Sequence, residues 1–266
     1  MPPSRVITTP VAWAFPKAPH AASRRMAQAF AAGANAAGEH WVSADYPSGL
    51  SERNALYGIL HGGEDIIRHC VERDLDYWYI DHGYMGRSSS LEAMDGYFRI
   101  VKNGLQHINV TGPTTGRFER LGLEVLQCKG TDHSKVVALP PSQHQIKFYG
   151  PETAKHFYLM VQNADRYSEK LVYSRKGDKI PLTKHLEDAS YCIGFNSTGL
   201  FEAARRGIPV KATGPSPLSP LRDCLETKEW EEERLRIFRG CAERQFTLAE
   251  IADGTAFRNL RALGEI

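Results

Sequence analysis

Short apolar runs alternate with stretches of helical periodicity along this chain, and the alternation occurs in both of its halves. This pattern restricts the fold more than any other feature, because strands linked through crossover helices lie parallel in one sheet. In the first half, strands are expected over 5–15 (RVITTPVAWAF), 40–45, 56–60 and 76–80 (DYWYI). Helices are expected over 21–32, with Gly33 as the stop, and over 64–73, where Ile66, Ile67 and Cys70 fall at helical spacing. In the second half, strands are expected over 135–139 (KVVAL), 170–174, 191–195 and 208–212. Helices are expected over 151–167, 200–206 and 228–244, the last with Trp230, Leu235 and Phe238 as its apolar seam and an otherwise solvated charged face. Segment 216–221 is proline-rich and irregular, and a final helix spans 248–263. The least structured stretch is Asn109–Asp132, rich in Gly and Thr. The expected division is therefore a first domain over 1–128, a second over 129–245, and a C-terminal helix over 246–266 that returns to the first.

With 266 residues the chain can bury a real core, and the length suits one large domain or two of modest size. The formal net charge of +2 makes it no polycation, so charge neither implies nor excludes a nucleic-acid partner. Cys70, Cys128, Cys192, Cys224 and Cys241 are odd in number, widely spaced and free of any CxxC pattern. A reducing, cytoplasmic compartment is the expectation. The N-terminus carries no basic segment leading into a continuous apolar run, and no stretch of about 18 apolar residues occurs, so no membrane span is expected.

The most informative segment is Phe195-Asn196-Ser197-Thr198-Gly199-Leu200-Phe201-Glu202, followed by Arg206-Gly207-Ile208-Pro209-Val210. A strand runs through small polar residues directly into a helix. Backbone N–H groups and hydroxyls at a helix start form an anion site. Asn196, Ser197 and Thr198 can bond a diphosphate, and Glu202, one turn inside, can reach a ribose hydroxyl. Ordinary helix capping accounts for the same residue types. Ser142, after the strand end at Pro140-Pro141, can donate to a phosphate. Arg175 and Lys176 end the next strand, where a fixed cation stabilises a leaving nucleoside diphosphate; a solvated charged turn is the plain alternative.

The string FNSTGLFEAARRGIPV resembles the donor-binding segment of glycosyltransferases of the GT-B fold, and is similar to that of capsule-polysaccharide-type and phage-encoded, DNA-modifying transferases. Ile80-Asp81-His82-Gly83-Tyr84-Met85-Gly86-Arg87, with Tyr97-Phe98-Arg99 and Asn103 beyond it, resembles an acidic-x-Gly-Tyr-x-x-Arg segment of the capsule enzymes that an Asn also follows. Here His82 stands where those enzymes have a second acidic residue, and the spacing to the Asn is longer. Gln245-Phe246-Thr247-Leu248, Glu250 and Gly254 resemble the C-terminal helix of the phage type, packed back on the first half.

The resemblance implies an α/β fold of two Rossmann-like halves around a central cleft. It implies transfer of a sugar from a nucleotide-sugar co-substrate, a UDP-sugar or similar, to an acceptor hydroxyl. A hydroxymethylated base in phage DNA is the first acceptor it implies, within a host cytoplasm, and a surface glycan the second. No permanently bound cofactor and no metal are expected. Asp81 and His82 are the catalytic candidates, one as base or, for a retaining enzyme, Asp81 as nucleophile. His133 and, more weakly, His61 are further candidates. Arg87 and Arg99 can hold acceptor or donor phosphates. A nucleotide-sugar epimerase and a non-catalytic nucleotide-binding protein remain rival readings.

Overall fold

The computed structural model describes residues 6–15, 21–45, 50–60, 62–86, 90, 93–128, 134–223 and 228–266. His61, Arg87 and His133 lie outside the described residues. The chain is mixed α/β and divides into two compact units, Met1–Leu105 with Ala242–Ile266, and Gln106–Cys241. Among the described residues no helix is long and apolar enough to cross a membrane.

The first unit begins with β1 (Val6–Ile7) and β2 (Val11–Ala14), followed by α1 (Ala21–Ala36), β3 (Val42–Asp45), β4 (Leu50–Ser51), β5 (Arg53–Tyr57), α2 (Gly63–Glu72), β6 (Asp76–His82) and β7 (Tyr97–Lys102). The second unit contains α3 (Arg117–Arg120), β8 (Lys135–Leu139), α4 (Gln143–Tyr149), α5 (Glu152–Asp165), β9 (Lys170–Tyr173), α6 (Leu182–His185), β10 (Tyr191–Gly194), α7 (Thr198–Arg205), β11 (Val210–Ala212), a 3₁₀ turn (Ser219–Asp223) and α8 (Lys228–Ala242). The chain then returns to the first unit as β12 (Gln245–Thr247), α9 (Leu248–Ala252) and α10 (Thr255–Ala262).

In the first unit the larger sheet has the order β12-β7-β6-β5-β2-β3, and β1 pairs separately with β4. β3, β2, β5 and β6 are parallel, while β7 runs antiparallel to both β6 and β12. Aromatic side chains fill the core on one face. Trp41 packs edge-on against Phe30 and Trp78, with ring centroids 5.1 and 5.3 Å apart, and Phe30 meets Phe257 at 4.8 Å. Such pairs add roughly 1 kcal/mol each beyond the area they bury.

Several elements depart from the sequence pattern for identifiable reasons. Gly33 does not stop α1. A Cβ built there would lie 1.7 Å from the Ile251 carbonyl oxygen, so the glycine allows α9 to press against α1. The strand expected over 56–60 sits earlier, as β5. Ile59 and Leu60 belong to the turn into α2, where the Ile59 carbonyl accepts from Glu64 N–H and that of Leu60 from Gly63 N–H. The expected final helix is two helices, broken at Gly254 with φ +82° and preceded by an unforeseen strand, β12. α8 is not simply solvated on its charged face. Arg234 is 1% exposed and donates to the carbonyls of Ala204 and Leu126, both at 2.7 Å, and to Glu231.

The second unit has a four-stranded parallel sheet of order β11-β10-β8-β9. Val136, Ala138, Phe157, Val161 and Ile193 form a core between it and α5. The chain steps from β8 outward to β9, then crosses to the other side of β8 to form β10. Strand order therefore reverses between β8 and β10.

Candidate functional site

In an open parallel sheet, the place where strand order reverses leaves a crevice at the carboxyl ends, because the flanking connections leave on opposite faces. Here that place lies between Leu139 and Gly194, which are partners in register. Each of the two strands leads into a serine-capped helix. Ser142 caps α4 and accepts from Gln145 N–H at 3.2 Å, while its own N–H donates to the Gln145 side chain at 2.7 Å. Ser197 caps α7 and accepts from Gly199 N–H at 3.1 Å. A hydroxyl that accepts an amide N–H still has its own O–H to donate. Gly199 lets α7 start close in, since a Cβ there would lie 2.9 Å from Leu139 Cδ1. Gln145 Nε2 donates to Asn196 Oδ1, tying the two loops together, and Asn196 is buried. Thus Ser142, Asn196, Ser197 and Thr198 meet at adjacent strand ends.

Arg175 and Lys176 lie one strand further out, exposed after β9. The backbone N–H of Arg175 donates to Asp178 Oδ2 at 2.6 Å, which fixes the turn. Glu202 is paired with arginines of its own helix and the residue after it. Its carboxylate accepts from Arg206 Nε at 2.7 Å and Arg205 Nη2 at 3.0 Å. Partial burial raises its pKa, but those two arginine contacts outweigh burial and hold it below the usual value.

The first unit has its own polar cluster, at the carboxyl end of β6. Asp81 and Arg99 are register partners in the β6–β7 ladder. Arg99 Nη2 donates to Asp81 Oδ2 at 2.9 Å, and the same oxygen accepts from Tyr79 Oη at 3.0 Å. Asp81 Oδ1 accepts the backbone N–H of His82 at 2.8 Å. Arg99 also donates to the His82 carbonyl, and its guanidinium lies 5.3 Å from the Tyr84 ring centroid and 6.0 Å from that of Tyr79. The guanidinium side chain is 4% exposed, whereas the Asp81 side chain is 30% exposed. Arg99 therefore occupies the position of a partner for Asp81, not of a surface ligand for a phosphate. Burial alone would push the Asp81 carboxyl up; Arg99 and the donated hydrogen bonds overcome it and keep the group below the ordinary carboxylate range. The His82 ring stacks near Phe98 at 6.0 Å and lies edge-on to Tyr57 at 6.3 Å.

Asn103 and Gln245 enter the sequence pattern through the resemblance alone, and the structure shows what each does. Asn103 lies at the other end of the β6–β7 pair from Asp81. Its side chain accepts from Tyr77 N–H at 2.9 Å and donates to Asp76 at 2.8 Å, supporting a backbone with φ +52°. Gln245 supports the turn that follows Asp81 and His82. Fully buried in β12, it accepts from Met85 N–H and donates to Met85 O, both at 3.1 Å, and its Oε1 would lie 2.8 Å from a Cβ placed on Gly83. No local sequence signal connects positions 85 and 245.

No family model matches the chain, and no curated protein matches it in sequence. Solved structures do match. One is Thermosulfurimonas dismutans KpsC, a beta Kdo 2,7 transferase, at 13% identity and TM-score 0.50, covering 94% of this chain and 99% of that one. Another from the same organism is KpsC, a beta Kdo 2,4 transferase, at 13% identity and TM-score 0.46, covering 88% and 90%. At this identity the first likeness is one of fold: a mixed α/β chain with parallel sheets, aligned over nearly its whole length.

Proposed function

We propose that this chain is a glycosyltransferase that moves a sugar from a nucleotide-activated donor to a hydroxyl of a glycan. The observation that carries the proposal is the pair of serine-capped helix starts at the point of strand reversal in the second unit. Backbone N–H groups, two hydroxyls and the exposed Arg175 and Lys176 offer a phosphate fixed dipoles and mobile cations. We read the two units as the Rossmann-like halves of a GT-B-type enzyme, with the donor nucleotide in the second. A fold neighbour named for making a sugar linkage supports a glycan acceptor. A Kdo donor is the first to test.

The chemical groups of the first unit divide the work. Asp81 is held ionised beside Arg99 and is a weak base for that reason. Its fixed negative charge suits the positive charge that grows on a sugar carbon as the leaving group departs. An imidazole is the better acceptor of a hydroxyl proton near neutral pH, and His82 supplies one beside it.

The test is a thermal-shift panel of nucleotides and nucleotide sugars followed by a transfer assay with Asp81→Asn and His82→Ala. Selective binding raises the melting point by mass action. Nucleotide release that depends on an added acceptor supports transfer over epimerisation. Loss of turnover in Asp81→Asn with donor binding intact supports the role of the carboxylate. Full turnover in that variant removes Asp81 from the mechanism, and no stabilisation by any nucleotide or nucleotide sugar removes the donor site.

A further inference from the structure

The end of β9 carries exposed aromatic surface that a phosphate site does not require. Tyr173, the last residue of the strand, is 40% exposed, and Tyr158 on α5 is 38% exposed. Their ring centroids lie 6.5 Å apart, and the Arg175 guanidinium is 6.0 Å from the Tyr173 ring centroid. A tyrosine kept only for packing would be expected to bury its ring against the α5 side of the sheet, as Phe157 and Leu171 do to greater extents. Here the ring is left half open, with a planar cation beside it.

Its position in the sheet gives the exposure a direction. Tyr173 is in register with Ala138, one residue before the end of β8, so it stands one strand spacing, about 4.8 Å, from β8 on the side away from β10. β9 is the second strand of the unit and forms the edge of its sheet. In doubly wound parallel sheets a nucleotide lies outside the carboxyl ends of the strands at the reversal, with its pyrophosphate at a helix start and its ribose held by a residue about 20 positions further along the chain. The group best matched to an open aromatic face with an adjacent guanidinium is a flat π-system.

We infer that the turn after β9 is a nucleobase site: the base stacks on Tyr173 beside the Arg175 guanidinium, while Arg175 and Lys176 keep the phosphate contacts proposed above. This rests on reading the second unit as a nucleotide site, and goes beyond it by separating the base contact from the phosphate contact.

Calorimetric titration of the full chain tests it, with nucleoside mono- and diphosphates as probes and ribose 5-phosphate and inorganic pyrophosphate as base-free controls. Wild-type protein is expected to bind at least one nucleotide more tightly than either control. Tyr173→Leu is expected to weaken that nucleotide about 5- to 140-fold, the range for loss of one stacked base, and to leave the base-free probes unchanged. Tyr173→Phe is expected to bind like wild type, which separates loss of stacking from loss of fold. Ser197→Ala is expected to weaken nucleotides and base-free probes alike. Nucleotide binding that is unchanged in Tyr173→Leu but reduced in Ser197→Ala overturns the base site alone. Absence of nucleotide binding to wild-type protein overturns the base site together with the nucleotide reading of the unit.

Discussion

Replacing Arg99 with methionine keeps most of the side-chain volume and removes the cation that Asp81 faces. In the native structure that guanidinium is almost wholly buried and bonds both the Asp81 carboxylate, at 2.9 Å, and the His82 carbonyl. Removing one partner of a buried pair costs about 3–5 kcal/mol, since the other charge remains without compensation. Asp81 keeps contact with solvent and with Tyr79, which places the expected loss near the lower end, about 3 kcal/mol at pH 7. The pH dependence follows from the direction of the shift. Asp81 has a folded pKa below its unfolded value of about 3.9, so the stability it contributes is fully present above that value. It is lost as pH falls through the folded pKa. The gap between wild type and Arg99→Met should therefore hold from pH 7 to about pH 5 and narrow below pH 4. Urea unfolding followed by tryptophan fluorescence is a suitable assay, because Trp13, Trp41 and Trp78 lie in the first unit and Trp230 in the second. In a double-mutant cycle, Asp81→Asn should cost much less in the Arg99→Met background than in wild type. A loss below about 1 kcal/mol, a gap that does not change between pH 7 and pH 3, or additive single substitutions would refute the argument.

The same assay applies to Gly33→Ala. A Cβ would lie 1.7 Å from Ile251 O, so α1 and α9 must move apart, and the expected net loss is about 2 kcal/mol despite a gain in helix propensity of about 1 kcal/mol. A neutral or stabilised variant would show that the close approach is unimportant. Gln245→Leu strips both hydrogen bonds from the Met85 backbone and leaves buried groups unpaired, at a cost of about 2–4 kcal/mol. Hydrogen exchange should show the Met85 amide losing protection while β5 keeps its own; unchanged protection at Met85 would mean that the turn is held by other contacts.

Strand–helix alternation was legible in the sequence because it is a local property: β8, β9, β10 and α7 lie close to where periodicity and capping residues put them. Ser197 was legible for the same reason, since a cap needs only the three residues after it; Ser142 reads only as part of a strand-ending turn, and α4, which it caps, is not expected from the sequence. The sequence could not show that their two loops lie side by side. That follows from strand order, which is a choice among crossovers that leave the local pattern unchanged. The clearest differences come from long-range contact. Gly33 reads as a stop until α9 is seen against it. Gln245 reads as the lead-in to a helix until β12 pairs with β7 and its amide reaches Met85. Arg99 reads as a phosphate ligand, because a cation after an aromatic pair carries no mark of its partner. Only the antiparallel register of β6 and β7 brings it to Asp81, eighteen residues away in the chain, and turns an apparent anion-binding side chain into the counterion of a carboxylate.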